Sequence, residues 1–400
     1  MPDHKPTRIF YIAAAGDLVA AYKSWKSGTD FQSETAKTYS GSIFEFARKY
    51  GMEGTFLSPS QVKDAIADDG FCVKNVRIAS GGSGLGYYIN WMRSSMSFLW
   101  AVLRNKPDVA LISNNMIFLP MLFFARMFGI KIINIMHVAF YSPVRPPVGT
   151  KRLLSILDSI FLKHGSNYIL GVSQDIVTQS HVLCGRKAPP GAAFTPQWNR
   201  EKFDAIFDRH PSGDRFSLTF IGRMERDKGI FDLLQAFASL HDKGHRLKLD
   251  FLGDGGARNE LRTEIARRGL SDFVTVHGHC SGDEVIEALA RTHLVVVPTR
   301  SEFVEGLNKV AIEAVLGGRP VVTSRVCQSS RLIEEAMFEA TPDDWRSYAQ
   351  CIERAMTDPA AYNQAVAAAR VIRERFFDPS RSIGHMLERA FADLGLIKAA

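Results

Sequence analysis

The stretch PTRSEFVEGLNKVAIEAVLGGRPVV, residues 298–322, follows the β-branched run Leu294–Val297 and carries Glu305 and Glu313 in an E-x7-E spacing. The run predicts a buried strand that ends just before the stretch, and the residues from Gly306 to Lys309 are expected to begin a helix. Free backbone N–H groups at such a helix start, reinforced by the helix dipole, bind anions. The stretch therefore predicts a strand, a loop and a helix that together offer a diphosphate site.

Strand-like and helix-like segments alternate along the chain on both sides of this stretch. The predicted strands are Ile9–Ala14, Gly54–Ser58, Val73–Ile78, Val109–Ser113, Lys131–Met136, Tyr168–Val172, Ser217–Ile221, Lys248–Leu252, Val274–Val276, Leu294–Val297 and Pro320–Thr323. The predicted helices are Ser42–Tyr50, Gln61–Ala67, Tyr87–Arg104, Pro120–Phe128, Lys151–His164, Gly229–Asp242, Asn259–Arg268, Ser281–Arg291 and Lys309–Leu316. This alternation predicts an α/β protein with two Rossmann-like, doubly wound parallel-sheet units.

Length and composition fit two globular domains. A chain of 400 residues exceeds what one core supports, and 46% hydrophobic residues supply enough apolar material. The polar stretch Gln197–Asp214 predicts the linker. Five scattered cysteines without a C-x-x-C spacing argue against disulfides and a zinc site, and for a reducing compartment. No signal peptide is expected, and the longest apolar run, Ile117–Ala125, is shorter than the roughly 20 residues of a membrane span.

Positive charge is concentrated in the N-terminal half, where residues 1–200 hold 22 Lys and Arg against 12 Asp and Glu. Such a surface suits an anionic membrane, a phosphorylated acceptor or nucleic acid, or it only aids solubility. No aromatic or helix-turn-helix module supports nucleic-acid binding. Tyr87–Arg104 favours a buried core helix, with a lipid-linked substrate at the inner leaflet as the alternative. We predict a cytoplasmic protein in peripheral contact with the inner face of the membrane.

A second candidate anion site follows the predicted strand Ser217–Ile221. Gly222 and Arg223 come directly after this strand, and Lys228 follows five residues later. Negative charge grows on a diphosphate leaving group as its bond to a sugar breaks, and nearby cations stabilise that charge. Arg223 and Lys228 are therefore expected to lie beside the site predicted for residues 298–322.

These motifs, in this order over about residues 217–325, resemble the retaining nucleotide-sugar glycosyltransferases of the large GT-B family (group 1, family 4), which includes many bacterial surface-polysaccharide enzymes. The resemblance implies that Glu305 contacts the donor sugar or phosphate and that Glu313 binds the ribose hydroxyls. It also implies that Arg223 and Lys228 bind the diphosphate. Further donor-binding positions implied by the family motifs or the helix start are Gly222, Gly253, His277, Gly278, Gly306, Leu307, Asn308 and Lys309.

The first half resembles the same family more loosely, over residues 8–200. His137 ends a predicted strand, at the position where the family often has a histidine that faces the donor sugar. The resemblance implies sugar contact and transition-state stabilisation for His137 rather than general-base work. Tyr39-Ser40-Gly41-Ser42 resembles the Gly-Gly phosphate loop of the family, which adds Gly41 to the donor-binding positions.

The resemblance implies a retaining, metal-independent hexosyltransferase with two domains facing across a cleft. The expected donor is a UDP-sugar, with a GDP-sugar as the alternative, and the acceptor is a saccharide or lipid-linked molecule in exopolysaccharide or lipopolysaccharide synthesis. Residues 1–200 would bind the acceptor, residues 201–378 the nucleotide sugar, and residues 379–400 would form a helix crossing back to the N-terminal domain. The implied mechanism is front-face departure and attack, with the leaving phosphate taking the acceptor proton. No cofactor is expected, and no D-x-D motif follows a strand, so no metal site is predicted.

Two other functions remain open at this point. Sugar-nucleotide epimerases and phosphorylases also pair two Rossmann-like domains around a phosphate site, but they explain the combination of Arg223, Lys228 and the E-x7-E pair less well. A catalytically silent sugar-nucleotide binder or assembly scaffold is the second alternative. The retention of both glutamates, both cations and His137 counts against it.

Overall fold

A computed structural model describes residues 6–29, 31, 34–77, 85–114, 116–142, 146–209, 211 and 213–398. Two separate sheets, each covered by helices on both faces, form the two halves of the molecule. The predicted class, α/β with two Rossmann-like parallel-sheet domains, is confirmed. Among the helices within these ranges, none is long and apolar enough to cross a bilayer.

The N-terminal domain is built on an eight-stranded sheet in the order β3-β4-β2-β1-β5-β6-β7-β8. Its strands are β1 (Arg8–Ile12), β2 (Glu53–Pro59), β3 (Ala65–Asp68), β4 (Phe71–Val76), β5 (Val109–Ser113), β6 (Lys131–Met136), β7 (Tyr168–Gly171) and β8 (Gly191–Ala193). Strands such as β5 are buried along their whole length, which explains their continuous apolar sequence. Only β3 runs antiparallel, paired with β4 through a tight turn in which Asp69 and Gly70 have φ of 49° and 79°. The predicted helix Gln61–Ala67 is therefore wrong.

The α-helices of this domain, as far as the chain is described, are α1 (Leu18–Ser27), α2 (Tyr39–Lys49), α3 (Leu85–Asn105), α4 (Leu122–Met127), α5 (Gly149–His164) and α6 (Gln174–Cys184). Helix α1 was not predicted from the sequence. Its N-cap is Asp17, whose side chain accepts a hydrogen bond from the backbone of Ala20, and it ends at Gly28 in the left-handed conformation. Both signals were present in the sequence.

The C-terminal domain has a six-stranded parallel sheet in the order β11-β10-β9-β12-β13-β14. Its strands are β9 (Phe216–Ile221), β10 (Leu247–Leu252), β11 (Val274–Gly278), β12 (Leu294–Val297), β13 (Val321–Thr323) and β14 (Met337–Glu339). The remaining helices are α7 (Arg200–Phe207), α8 (Ile230–Asp242), α9 (Arg258–Arg267), α10 (Gly282–Ala290), α11 (Lys309–Leu316), α12 (Trp345–Thr357), α13 (Pro359–Ile372) and α14 (Ile383–Asp393). The carboxyl ends of parallel strands are where such sheets bind ligands.

Helix α14 returns from the C-terminal domain and packs on α2 of the N-terminal domain. The ring of Phe391 lies 4.8 Å from the ring of Phe46, and the Lys49 ammonium pairs with Glu388 at 2.5 Å. The last helix therefore ties the two domains together.

Candidate active site

A cavity of about 410 Å³ opens at the carboxyl ends of β9 and β10 in the C-terminal domain. Gly222 and Gly253 end these strands with φ of 152° and 132°. A Cβ atom on Gly253 would lie 1.9 Å from the carbonyl oxygen of Gly222, so only glycine permits the two loops to approach this closely. Five predicted donor-binding residues line this one cavity: Gly222, Arg223, Gly253, Lys309 and Glu313.

Glu305 and Lys228 form a buried ion pair in the same domain. The Lys228 ammonium lies 2.6 Å from Oε1 of Glu305, with side-chain exposures of 13% and 9%. Asn308 donates to the same oxygen at 3.0 Å, and the Lys228 ammonium lies 3.8 Å from the ring centroid of Phe303. Oε2 of Glu305 is buried and has no partner among the described residues. A buried acceptor of this kind is costly to leave unpaired, so the atom is suited to a ligand hydroxyl.

Glu313 is buried in α11, and its carboxylate is held from the N-terminal domain and the linker. Oε1 accepts hydrogen bonds from the hydroxyl of Thr35 and, at 3.4 Å, from Nε1 of Trp198. Burial raises the pKa of Glu313, and the Thr35 hydrogen bond opposes that shift. The second glutamate of the E-x7-E pair is thus oriented through one oxygen by Thr35 of the N-terminal domain and by Trp198, which packs in the same core cluster as Ile312 of α11.

Lys309, one turn earlier in α11, is also bound by the N-terminal domain. Its ammonium lies 2.6 Å from Oε2 of Glu34 and 5.3 Å from the ring centroid of Tyr39. Lys309 and Glu34 line two cavities. The first is the cavity of about 410 Å³ at the ends of β9 and β10, called the donor-side cavity, and the second has about 290 Å³ and lies on the N-terminal side. This ion pair therefore lies where the two cavities meet.

His137 lines the second cavity, directly after β6. Desolvation by burial, followed by the charge of Lys309, lowers the pKa of His137 to about 4. Its backbone N–H donates to Oδ1 of Asn114 at 2.8 Å, and its ring lies 5.0 Å from that of Tyr39. The imidazole is neutral at neutral pH, so it can exchange hydrogen bonds with a sugar but is a poor proton acceptor.

Gly306 joins the two domains at this point. A Cβ atom on Gly306 would lie 1.6 Å from the carbonyl oxygen of His137, so any larger residue would push the domains apart. Leu307 lines the His137 cavity and packs against the N-terminal core. Asn308 caps α11 by accepting from the backbone of Ala311 at 3.0 Å. The loop that carries Glu305 is therefore wedged against the end of β6.

Of the other predicted donor-binding residues, Lys228, Glu305, Gly306 and Asn308 line neither cavity, and Gly41, His277 and Gly278 make their contacts elsewhere. Gly41 lines a different cavity of about 650 Å³ between α1, α2 and α14, and its N–H already donates to Oγ1 of Thr38 at 3.0 Å. His277 does not line the donor-side cavity, and its Nε2 lies 2.6 Å from Oδ1 of Asp250 instead. Gly278 contributes its carbonyl to the N–H of Gly253 at 2.7 Å, which supports the loop rather than a ligand.

Several residues that line the donor-side cavity or hold Glu313 were not found from the sequence: Glu34, Thr35, Trp198, His279 and Cys280. His279 and Cys280 lie just beyond the end of β11. Parallel sheets bind ligands at the carboxyl ends of their strands, so these two residues become candidates once β11 is known to reach Gly278. Glu34 and Thr35 belong to the connection between α1 and α2, which the motifs of the sequence analysis do not include. Within the described ranges, no group of three or more His, Cys, Asp or Glu side chains is placed to hold a metal.

Comparison with known proteins places this geometry in context. Residues 202–371 match the family model described as Glycosyl transferases group 1. The chain is 28% identical over 191 residues to alpha-D-kanosaminyltransferase of Streptomyces kanamyceticus, covering 47% of this chain and 48% of the relative. The chain thus spans about half the length of this curated relative.

Solved structures match over the whole fold. Sucrose-phosphate synthase from Thermosynechococcus elongatus superposes with a TM-score of 0.73 at 17% identity, covering 97% of this chain and 99% of that one. Anabaena Alr3699/HepE in complex with UDP and glucose gives a TM-score of 0.66 at 16% identity, covering 97% of this chain and 100% of that one. At these identities the likeness establishes the shared two-domain GT-B fold.

Proposed function

We propose, from the premise that residues 202–371 form a glycosyl transferases group 1 domain, that this chain transfers a sugar from a nucleotide diphosphate sugar to an acceptor. The observation that carries the proposal is the convergence of Arg223, Lys309 and Glu313 on one cavity beside the buried Lys228–Glu305 pair. Two glutamates, three cations and two glycine-bounded strand ends are the groups that a ribose, a diphosphate and a sugar require.

Each part of the donor has a matching group. Oε2 of Glu313 is left for the ribose hydroxyls, because Thr35 and Trp198 hold Oε1. The unpartnered Oε2 of Glu305 suits a hydroxyl of the transferred sugar. Arg223 and Lys228 supply positive charge for the diphosphate, and this charge supports transfer without a metal ion. UDP is the favoured nucleotide, because a protein of the same fold is known in complex with UDP and glucose; GDP is the alternative.

A bound donor would also break the Lys309–Glu34 ion pair. A diphosphate at this position competes with the Glu34 carboxylate for the Lys309 ammonium, and release of Glu34 joins the two cavities. The transferred sugar then reaches His137, which contacts it as a neutral hydrogen-bonding group. The lowered pKa of His137 makes it a poor base, which fits the route that the family resemblance implies, with the acceptor proton passing to the leaving phosphate. Retention of the anomeric configuration by front-face attack belongs to the same proposal on the ground of that resemblance.

The acceptor belongs on the N-terminal side of the His137 cavity. That cavity shares Ala21, Phe31 and Thr38 with the larger cavity between α1, α2 and α14, so the two are neighbours. A saccharide or lipid-linked acceptor has room there, in an enzyme of bacterial exopolysaccharide or lipopolysaccharide synthesis. Peripheral contact of a cytoplasmic protein with the inner face of the membrane is part of the same proposal, since lipid-linked acceptors are presented there.

A donor panel tests the proposed reaction. The protein is incubated in EDTA with UDP-, GDP- and ADP-sugars, and the released nucleoside diphosphate is measured with and without acceptor. One donor class is expected to release its nucleotide, and Glu305→Gln is expected to slow release strongly, while Glu302→Gln, on the exposed part of the same loop, leaves it unchanged. Binding without release would favour the scaffold, and conversion of the sugar without free nucleotide would favour an epimerase.

A further inference from the structure

Helices α3, α4 and α5 form one layer on the face of the N-terminal sheet opposite α2 and α14. Helix α3 contacts α4, and the ring of Trp91 lies 5.4 Å from that of Phe118, just before α4. The ring of Phe123 in α4 lies 5.2 Å from that of Phe161 in α5. The outer surfaces of α3, α4 and α5 are therefore continuous, and together we call them the outer helical face.

The outer helical face exposes an unusual number of large apolar side chains. In α3, Ser95, Phe98, Leu99 and Val102 are buried, but the opposite side is exposed and apolar. The core-helix interpretation of Tyr87–Arg104 thus holds for only one side of α3. The exposed apolar residues of this face are Tyr87, Tyr88, Ile89, Met92, Met96 and Trp100 in α3, Phe124, Met127 and Phe128 at α4, and Leu153, Ile156 and Ile160 in α5.

The three most exposed of these residues lie at α4 and in the C-terminal half of α3. Met127 is 79% exposed, Phe128 72% and Trp100 62%. Contiguous apolar surface of this kind is rare on soluble proteins unless it meets a partner or a membrane. Side chains at positions 89, 92, 96 and 100 fall on one side of α3 at helical spacing, so the exposure follows a stripe rather than scattered positions.

Charge on this face is almost entirely positive. Residues 85–164 hold nine Lys and Arg, no Glu and two Asp, Asp108 and Asp158. The Asp108 carboxylate accepts from the backbone N–H of Arg8 at the end of the sheet, and burial raises the pKa of Asp158 to about 7. The exposed cations on and beside these helices are Arg93, Arg104, Lys106, Lys151 and Arg152. Arg104 lies 5.0 Å over the ring of Trp100, as in the amphipathic pairs found at membrane interfaces.

We infer that the outer helical face docks on an anionic lipid bilayer, with its apolar side chains in the headgroup region and its cations on acidic lipids. Exposed aromatic and aliphatic residues flanked by Lys and Arg are the combination that binds such an interface. A second copy of this chain fits less well, because a symmetric contact would press the same cations against each other. The inference deepens the membrane contact in the proposed function, but it does not depend on the chemistry of sugar transfer.

The docked orientation would also serve the proposed acceptor. Helix α3 leads into β5, so its C-terminal end lies at the amino edge of the sheet and its N-terminal end lies toward the edge where His137 follows β6. Twenty-one helical residues span about 30 Å, enough to carry the apolar stripe along the whole height of the domain. A lipid-linked acceptor leaving the bilayer at Tyr87 and Ile89 would be at the cleft end of the face.

Vesicle sedimentation tests the inference directly, using the full chain without donor or acceptor. Wild type is compared with Met127→Ser/Phe128→Ser on vesicles of phosphatidylcholine containing about one third phosphatidylglycerol, and on phosphatidylcholine alone. Val371→Ser is the matched control, since Val371 is 69% exposed on α13 of the other domain. The double variant is expected to lose roughly ten-fold or more in partition to the anionic vesicles. The control is expected to match wild type, and added salt should weaken binding.

Three results would overturn the inference. The first is that wild type does not sediment with anionic vesicles, and the second is that the double variant sediments as well as wild type. The third is that vesicles capture neither protein, while analytical ultracentrifugation shows a wild-type dimer that the double substitution dissociates. Nucleotide titration of the same variants separates this question from the proposed reaction. Lost vesicle binding with unchanged nucleotide binding supports the inference, whereas failure of both in the double variant shows misfolding, and Trp100→Ser then repeats the comparison.

Discussion

The two walls of the cleft hold their charged groups in different ways. On the C-terminal wall, Glu305 is neutralised within its own domain by Lys228 at 2.6 Å. On the N-terminal wall, the Glu34 carboxylate finds its cation across the cleft, on Lys309 at 2.6 Å. The C-terminal wall is thus a preformed charged site, whereas the N-terminal wall depends on its partner domain. The difference suggests where substitutions should act on stability and where on binding.

The largest expected effect comes from breaking the preformed pair. Glu305→Ala leaves the Lys228 ammonium buried without its carboxylate, and we expect a loss of about 3 kcal/mol in unfolding free energy. Urea denaturation followed by circular dichroism measures it. Glu34→Ala, which removes the more exposed carboxylate of the cross-domain pair, is expected to cost less than about 1 kcal/mol. Equal losses in the two variants would erase the proposed difference between the walls.

A pH experiment on Asp158, a half-buried carboxyl in α5 on the outer helical face, extends the comparison beyond the cleft. Its folded-state pKa is raised from 3.8 to about 7 by desolvation, so the native state binds the proton more tightly than the unfolded chain. Stability from this group is therefore complete below pH 3.8 and is lost as pH rises through about 7. Asp158→Asn is expected to be more stable than wild type at mildly alkaline pH by about 2 kcal/mol.

Thermal unfolding of Asp158→Asn and wild type across this pH range measures the difference. The gain should shrink on acidification, because protonated Asp158 and Asn are both neutral. Asp175→Asn serves as the control, since Asp175 pairs with Arg331 at 2.7 Å and its variant has no reason to gain stability with pH. A gain that is constant with pH would rule out desolvation as its cause.

The smallest expected effect concerns the hydroxyl that reaches from one wall to the other. Thr35→Val removes a hydrogen bond to the Glu313 carboxylate without changing the side-chain shape, so the carboxylate is less firmly oriented for a ribose. We expect nucleotide affinity to fall about five-fold, or about 1 kcal/mol, the typical net contribution of one hydrogen bond. Thr29→Val is the control, since the Thr29 hydroxyl is hydrogen-bonded within its own segment, to Ser24 and Ser27. Tighter binding by Thr35→Val would show that Thr35 blocks the site instead.

The difference between the two walls of the cleft also explains which site residues could be predicted from the sequence. Gly222, Arg223, Gly253, Lys309 and Glu313 line one cavity, and each was proposed from a strand end, from the start of α11 or from a family motif. Thr35 and Glu313 are 278 residues apart, and nothing in local spacing reports a contact across that separation. Contacts within the C-terminal domain could therefore be predicted from local spacing, whereas contacts that cross the cleft could not.

Local misassignments have local causes. The segment before Ala67 has an amphipathic pattern that fits a helix, but the Asp69-Gly70 turn pairs it with β4 as the antiparallel strand β3. His277 was placed in the site by motif position, yet β11 extends through Gly278, and the register between β10 and β11 shifts after Phe251. That shift leaves the cavity to His279 and Cys280.

Isothermal titration with UDP, GDP and ADP in EDTA tests the central claim, that the carboxyl ends of β9, β10 and β12 form a nucleotide site. We predict that wild type binds one nucleotide selectively and that Arg223→Ala and Glu313→Gln each lose most of that affinity. Arg226→Ala is expected to bind the nucleotide as wild type does. Arg226 is the matched control because it lies in the same loop but pairs with Glu260 on the exposed surface. No nucleotide binding by wild type, or unchanged binding by Arg223→Ala and Glu313→Gln, would contradict the account.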